Sequence, residues 1–269
     1  MDLQLVDRVA VIVGGARGIG AAIAREFAQE RCKVAVLDRD PTVDNFATEL
    51  QAASKALVRA YRVDATDLAA LQGAAAAIER DLGPPRHLVF AVGINSGTFG
   101  FPFWDVPPAV WPKVLEVNVV SAVNALHAFV PAMIAARDGT ILLLASVAGQ
   151  IGSQTDPPYS ASKAALINFA QCAAKDLAPY NVRVNTLCPG MVKTELNRAV
   201  WQSWANKQPT ANRLTFEDWA ADKIQKTIPL GRWQEAEDMA AMAVFLASPR
   251  ARNICGQTLN VDGGFVMRG

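Results

Sequence analysis

Histidine is nearly missing from this chain: His87 and His127 are the only two in 269 residues. Cysteine is also scarce, and Cys32, Cys172, Cys188 and Cys255 are scattered without Cys-x-x-Cys or any other metal-ligand spacing. A zinc centre needs such ligands clustered, so no metal is expected and the thiols read as reduced and structural. No unbroken apolar run reaches the eighteen or so residues of a membrane span. Met1-Asp2-Leu3-Gln4 does not read as a signal peptide, which needs a basic start and an apolar stretch. The charge is balanced at net +1 with no basic patch, which argues against nucleic acid as a partner. No Gly/Ser or Pro run marks a linker, and no internal repeat is evident, so one domain spanning 1–269 is expected. These absences together predict a cytoplasmic protein that works on small molecules.

What is present alternates. Short apolar runs at about 8–13, 33–38, 57–62, 87–91, 140–145, 181–187 and 257–260 read as strands, separated by helical stretches. The pattern predicts an α/β fold: a Rossmann-like, doubly wound, parallel seven-stranded sheet flanked by helices on both faces. Ligands of such sheets gather beyond the carboxyl ends of the strands, at the switch point. Gly14, Asp38, Gly93, Ser146 and Pro189 all fall there.

Arg8 to Val13 is a β-branched run that ends in Gly14-Gly15-Ala16-Arg17-Gly18-Ile19-Gly20, and Ile19, Ile23 and Phe27 then recur every four residues as a helix face does. Strand, glycine turn and helix N-terminus form the setting in which backbone amides meet a pyrophosphate. Eighteen residues beyond Gly20, the second strand ends at Asp38, where a dinucleotide fold places its ribose reader. A carboxylate there accepts from ribose hydroxyls and repels a 2′-phosphate, by roughly 4 kcal/mol at the upper end for charges 4 Å apart. This predicts NAD rather than NADP. Arg17 and Arg39 pull the other way, since either can pair with a phosphate.

Tyr159 and Lys163 stand four apart in Tyr-Ser-Ala-Ser-Lys, one turn of helix, with Ser146 thirteen residues upstream. An ammonium beside a phenol favours the phenolate and is expected to pull its pKa down from about 10. With the glycine turn, this combination points to redox chemistry.

At this point the chain resembles the classical short-chain dehydrogenase/reductase family over nearly its whole length. The family's Thr-Gly-x-x-x-Gly-x-Gly matches Val13 to Gly20, its helix asparagine matches Asn118, and its serine, tyrosine and lysine match Ser146, Tyr159 and Lys163. Val184 to Gly190 and Asn260 to Gly264 match its later motifs. The resemblance implies that Asn118, Ser146, Tyr159 and Lys163 form the catalytic set, with Asn118 in a water-linked relay from Lys163. It implies cofactor contacts at Gly14, Arg17, Gly18, Ile19, Gly20, Asp38 and Arg39, at Asp64 (adenine), Ala65, Ala91 and Gly93, at Pro189, Gly190, Val192 and Thr194 (carboxamide), and at Tyr159 and Lys163. It also implies a homotetramer and a substrate lid over about 191–226. Two departures stand out: Phe90-Ala91-Val92-Gly93 replaces Asn-Asn-Ala-Gly, and Val13 replaces Thr.

Substrate contacts are expected from Ser146, Gln150, Asp156, Met191 and Trp201. The aromatic stretches Phe99 to Trp104 and Trp201, Trp204, Phe216 and Trp219 read either as substrate walls or as packing. The function expected is NAD-dependent hydride transfer between a secondary alcohol and its ketone. Its rivals are an NADPH-dependent 3-oxoacyl-thioester (acyl carrier protein) reductase and a catalytically silent NAD-binding module.

Overall fold

Strand β1 (Val9–Val13) is buried at every position, as a run without polar residues requires. The computed structural model describes residues 2–99, 102–153 and 155–267. Strands β2 (Lys33–Asp38), β3 (Val58–Arg62), β4 (Pro85–Phe90), β5 (Gly139–Leu144), β6 (Val182–Pro189) and β7 (Thr258–Val261) complete a parallel sheet in the order β3-β2-β1-β4-β5-β6-β7. All seven expected strands are there within a few residues of their expected bounds. The order reverses between β1 and β4, which puts the switch point at the carboxyl ends of those strands.

Helices α1 (Gly18–Gln29) and α2 (Thr42–Ser54) follow the first two strands, and α3 (Leu68–Asp81) starts at Asp67, whose carboxylate accepts the Ala70 N–H at 3.0 Å. A long helical stretch comprises α4 (Trp111–Leu115), a π turn at Glu116–Val120 and α5 (Ser121–Ala136). Helix α6 (Pro157–Leu177) carries the Tyr-Lys pair; α7 (Glu195–Asn206) and α8 (Phe216–Thr227) follow β6, and α9 (Ala236–Ala247) precedes β7. One core lies on the α1 and α9 face of the sheet, where Ile23 and Phe27 meet Val34, Met239 and Val244. The other joins Leu71, Phe129, Met133 and Leu166 to Leu88 and Ile141 on the opposite face. By length and composition the stretch Pro108–Ala136 is apolar enough to cross a membrane, although its polar residues break any continuous run. In this fold α5 packs against β4, β5 and α3.

Two basic residues, a half-buried arginine and a buried neutral histidine, brace the sheet. Arg183 on β6 donates to the carbonyls of Leu246 (2.6 Å), Ser248 (3.2 Å) and Ile254 (3.2 Å), satisfying the carbonyl end of α9. His87 on β4 stacks on Phe27 and bonds Thr140 Oγ1 at 2.8 Å, but its Nε2 has no partner. Burial pushes its pKa down from 6.5 to about 3. The unfolded chain therefore takes up a proton that the folded chain refuses, and stability falls as pH drops from about 6.5 to about 3 at roughly 1.4 kcal/mol per unit. In urea titrations over that range His87→Gln is expected to show a shallower decline than the wild type. Parallel curves would contradict this.

Candidate active site

The site begins where β1 runs into the glycine turn. Gly14 has φ +82°, and a Cβ on it would stand 2.9 Å from the Val92 amide nitrogen; a Cβ on Gly20 would lie 2.0 Å from the Gly14 carbonyl oxygen. Only glycine lets these segments close up, and the result is a backbone cradle at the N-terminus of α1. The shape fits a dinucleotide pyrophosphate. The two departures from the family pattern are absorbed locally. Val13 is buried, its carbonyl accepts the Ala91 N–H at 2.8 Å, and the Gly14 and Gly15 amides both donate to Leu37 O. Where asparagines would brace the sheet, Val92 packs directly against Gly14.

Beside the cradle, Asp38 and Arg39 of β2 and its following turn line a recess with Asp64, Ala65, Ala91 and Gly93. The Asp38 carboxylate accepts the Ala16 N–H (3.1 Å) and the Asp40 N–H (3.0 Å). Both candidate phosphate partners line the same recess on its exposed side, Arg17 paired with Asp40 at 2.7 Å and Arg39 with Asp64 at 3.7 Å. Hydrogen bonds from the Thr66 backbone and hydroxyl help hold the Asp64 carboxyl below the usual range.

A larger cleft of about 770 Å³ continues from the glycine turn to the middle of the sheet and brings together Arg17, Gly18, Ile19, Gly20, Ala91, Gly93, Ser146, Tyr159, Lys163, Pro189, Gly190, Val192 and Thr194. Ser146 ends the β5 segment, and its Oγ accepts the Ala148 N–H at 3.1 Å, which leaves its proton free to donate. Tyr159 sits in the first turn of α6. Lys163 is buried one turn on, its Nζ 5.6 Å from the phenol ring centroid and 2.8 Å from Leu144 O. Gly93 makes room for it, since a Cβ there would come within 3.1 Å of Nζ.

Here the expected electrostatics need correcting. The Tyr159 pKa is not pulled down: burial pushes it up to about 12, the Asp156 charge adds to the rise, and the hydrogen bond with Ser146 offsets only part of it. Burial likewise pushes Lys163 down to about 8. Desolvation of each group outweighs their mutual attraction, because the ammonium is turned toward the Leu144 carbonyl and not the phenol oxygen.

Asn118 lies in the π turn, fully buried. Its Oδ1 accepts the Ile94 N–H (2.8 Å), and its Nδ2 donates to Ile94 O (2.9 Å) and to Ser162 Oγ (2.9 Å). Ser162 Oγ passes the connection to Tyr159 O at 2.7 Å. Asn118 thus ties the loop after β4 to α6, and among the described residues its side chain makes no direct bond to Lys163.

Of the expected substrate contacts, Ser146 lines this cleft, and the others have the following partners. Gln150 exchanges two hydrogen bonds with Asn260 of β7, at 2.6 and 3.0 Å. Asp156 caps α6. Met191 is buried with Ile224, Ile228 and Trp233. Trp201 meets Phe216 edge-on at 5.8 Å and donates to Leu214 O, and Phe216 also packs on Trp219 and Trp233. These aromatics pack on one another, and of this cluster Phe216 also lines the cleft. Phe103 and Trp104 meet edge-to-face at 5.4 Å and line a separate recess with Gln150, and Gly100 and Phe101 lie outside the described residues. The sequence reading missed Lys193, Asn197 and Arg198 on the cleft wall. The i, i+4 spacing of Thr194 and Arg198 was the available signal for the last of them.

The comparisons agree with this geometry. The family model described as enoyl-(acyl carrier protein) reductase matches residues 14–266. Galactitol 2-dehydrogenase of Agrobacterium fabrum is 33% identical over 267 residues, covering 97% of this chain and 98% of the relative. The L-sorbose reductase of Gluconobacter frateurii, solved with NADPH and L-sorbose, superposes with a TM-score of 0.91 at 26% identity over 100% of both chains. An NAD+-bound xylitol dehydrogenase superposes at 0.89 and 28% identity, over 97% of this chain and 100% of the other. With its seven-stranded sheet, glycine cradle and Ser-Tyr-Lys cleft, the chain belongs to the classical short-chain dehydrogenase/reductase family of oxidoreductases.

Proposed function

We propose that the protein transfers a hydride between NAD and a secondary alcohol or its ketone. The observation that carries this reading is that the Tyr159 phenol, the Ser146 hydroxyl and Lys163 share one cleft with the glycine cradle. When bound, the dinucleotide supplies the nicotinamide C4 that accepts or donates hydride. The chain's own residues handle one proton. The phenol of Tyr159 gives it to a carbonyl oxygen in reduction, and the phenolate takes it from the hydroxyl in oxidation. Ser146 donates to the same oxygen as charge develops on it. Lys163 and the cradle orient the dinucleotide.

The phenol's raised pKa sets a sign. Oxidation needs the phenolate, so its kcat/KM is expected to rise with pH, up to about tenfold per unit, with no plateau before about pH 10. A bend near 8 would report Lys163 losing its charge. Reduction needs the phenol and should stay flat over the same range. A measured oxidation profile that levels off near pH 7 would contradict the raised pKa and show that the phenol ionises far more readily than its burial implies.

The preference for NAD is supported by Asp38 at the ribose end and by the pairing of Arg17 and Arg39 with carboxylates. Asp38→Asn removes the charge and keeps an acceptor, and it is expected to shift the ratio of NADPH to NADH efficiency by about tenfold or more toward NADPH. The overall test is a panel of cyclic, aromatic and polyol secondary alcohols and their ketones with each cofactor, followed by absorbance of the reduced dinucleotide. Faster rates with NADPH and 3-oxoacyl thioesters would favour the acyl-thioester reductase. Silence across the panel would sink the enzymatic reading.

A further inference from the structure

One buried carboxylate beside the site takes no part in the chemistry above. Asp156 is 5% exposed, and among the described residues no lysine or arginine is in ion-pair contact with it. Its two oxygens serve different parts of the chain. Oδ1 accepts the N–H of Tyr159 itself at 3.3 Å, and Oδ2 accepts the N–H of Ser96, sixty residues earlier, at 2.8 Å. A helix cap needs only the first of these bonds, which a serine or threonine would supply. The second reaches the loop after β4, whose other end is held by Asn118 through both backbone groups of Ile94. Ser96 is itself fixed, since its hydroxyl donates to Thr98 O at 2.7 Å.

We propose that Asp156 is a positioning residue for the proton transfer: its carboxylate locks the first turn of α6 to the loop after β4 and so fixes where the Tyr159 phenol stands over the cleft. The proposal rests on Tyr159 being the proton donor and acceptor. The lock also has an electrostatic side, because a negative charge beside the phenol opposes formation of a second one. The Asp156 charge is among the groups that raise the Tyr159 pKa. The other groups nearest the phenol are Ser146 from the turn after β5, Cys188 from β6 and Lys163 from α6, and the cleft it faces is also lined by the charged Arg17, Lys193, Glu195 and Arg198. Burial keeps Cys188 a neutral thiol, with a pKa near 11. The π turn packed against α6 brings the uncharged Asn118 inward, while its Glu116 is exposed and paired with Lys113 at 2.9 Å.

Two variants separate charge from anchorage. Asp156→Asn removes the charge and keeps one acceptor, whereas Asp156→Ala removes both bonds. The chain has only three tyrosines, so Tyr159 ionisation is readable by phenolate absorbance as the difference between each protein and its Tyr159→Phe counterpart. In Asp156→Asn the phenol is expected to ionise at lower pH by about half a unit or more, with the alcohol-oxidation profile moving in step and NADH affinity within about twofold of wild type. Asp156→Ala is expected to lose about tenfold or more in kcat with KM little changed, as misplacement of the proton donor demands. An Asp156→Asn ionisation curve that overlays the wild type overturns the proposal, and so does an Asp156→Ala enzyme with full kcat. If Asp156→Ala does not fold, the Asn curve decides alone. The absorbance reading requires no turnover, so a protein inactive on every alcohol would refute the proposed function and leave this test standing.

Discussion

Tyr159→Phe is expected to lower turnover by about 10³-fold or more while NADH still binds with near wild-type affinity. The size follows from what is removed. General acid–base catalysis by a placed side chain supplies about 10²- to 10⁴-fold, and no other described residue in the cleft can replace the phenol. Ser146 lacks a usable acidity, and Lys163 points to the Leu144 carbonyl. The ring itself stays, so the packing of the first turn of α6 is preserved. The cradle at Gly14 and Gly20 and the Asp38 carboxylate do not depend on the lost oxygen. Binding measured by quenching of protein fluorescence and turnover measured by cofactor absorbance should therefore separate cleanly. Turnover within tenfold of wild type would remove Tyr159 from its role.

Gly149→Ala should be nearly as damaging without touching a reacting group. A Cβ on Gly149 would stand 2.6 Å from the Lys163 carbonyl carbon, 2.7 Å from the Ala164 nitrogen and 2.9 Å from the Lys163 oxygen. All three are backbone atoms, so no side chain can swing away. The turn after Ser146 and the helix bearing Tyr159 and Lys163 must part. Overpacking of this kind costs typically 1–3 kcal/mol, and a displacement of about 1 Å between catalytic groups costs on the order of 10²-fold in rate. The expected result is a folded protein with a lower melting temperature and about 10²-fold lower kcat. Wild-type kcat in a soluble Gly149→Ala protein would show that the contact between the turn and α6 does not set the geometry. Ser160 is the reason to expect resistance at this contact, because its hydroxyl donates to the Ala148 carbonyl from the same face of α6.

Much of this architecture can be read from local patterns. The seven strands are short β-branched or apolar runs, and a buried parallel sheet demands little else of its sequence. The glycine turn is legible because backbone must approach backbone there, a constraint that leaves only one residue type. The Ser146, Tyr159 and Lys163 spacing is legible because a helix converts four residues into one face. Substrate contacts are harder to read, because they depend on partners distant in sequence. Gln150 and Asp156 are polar residues flanking the chemistry whose atoms bond Asn260 and Ser96, and neither partner is predictable from its neighbours. Trp201 and Met191 are apolar residues in the segment after β6, and composition does not tell whether such residues face a substrate or one another. The phenol's pKa failed for a different reason. Helical spacing brings the ammonium near, but only the three-dimensional burial shows that desolvation dominates.

The π turn at Glu116–Val120 has a consequence for any attempt to regularise this helix. Such a turn is an α-helix with one surplus residue. The wide turn absorbs that residue, so deleting it would restore a regular α-helix with the downstream face nearly in phase, and Ala122, Ala125, Leu126, Phe129 and Met133 would stay buried. What the deletion would take away is the bulge from which Asn118 clasps Ile94. A shortened chain should therefore fold with its apolar face intact and lose the tie between the loop after β4 and α6.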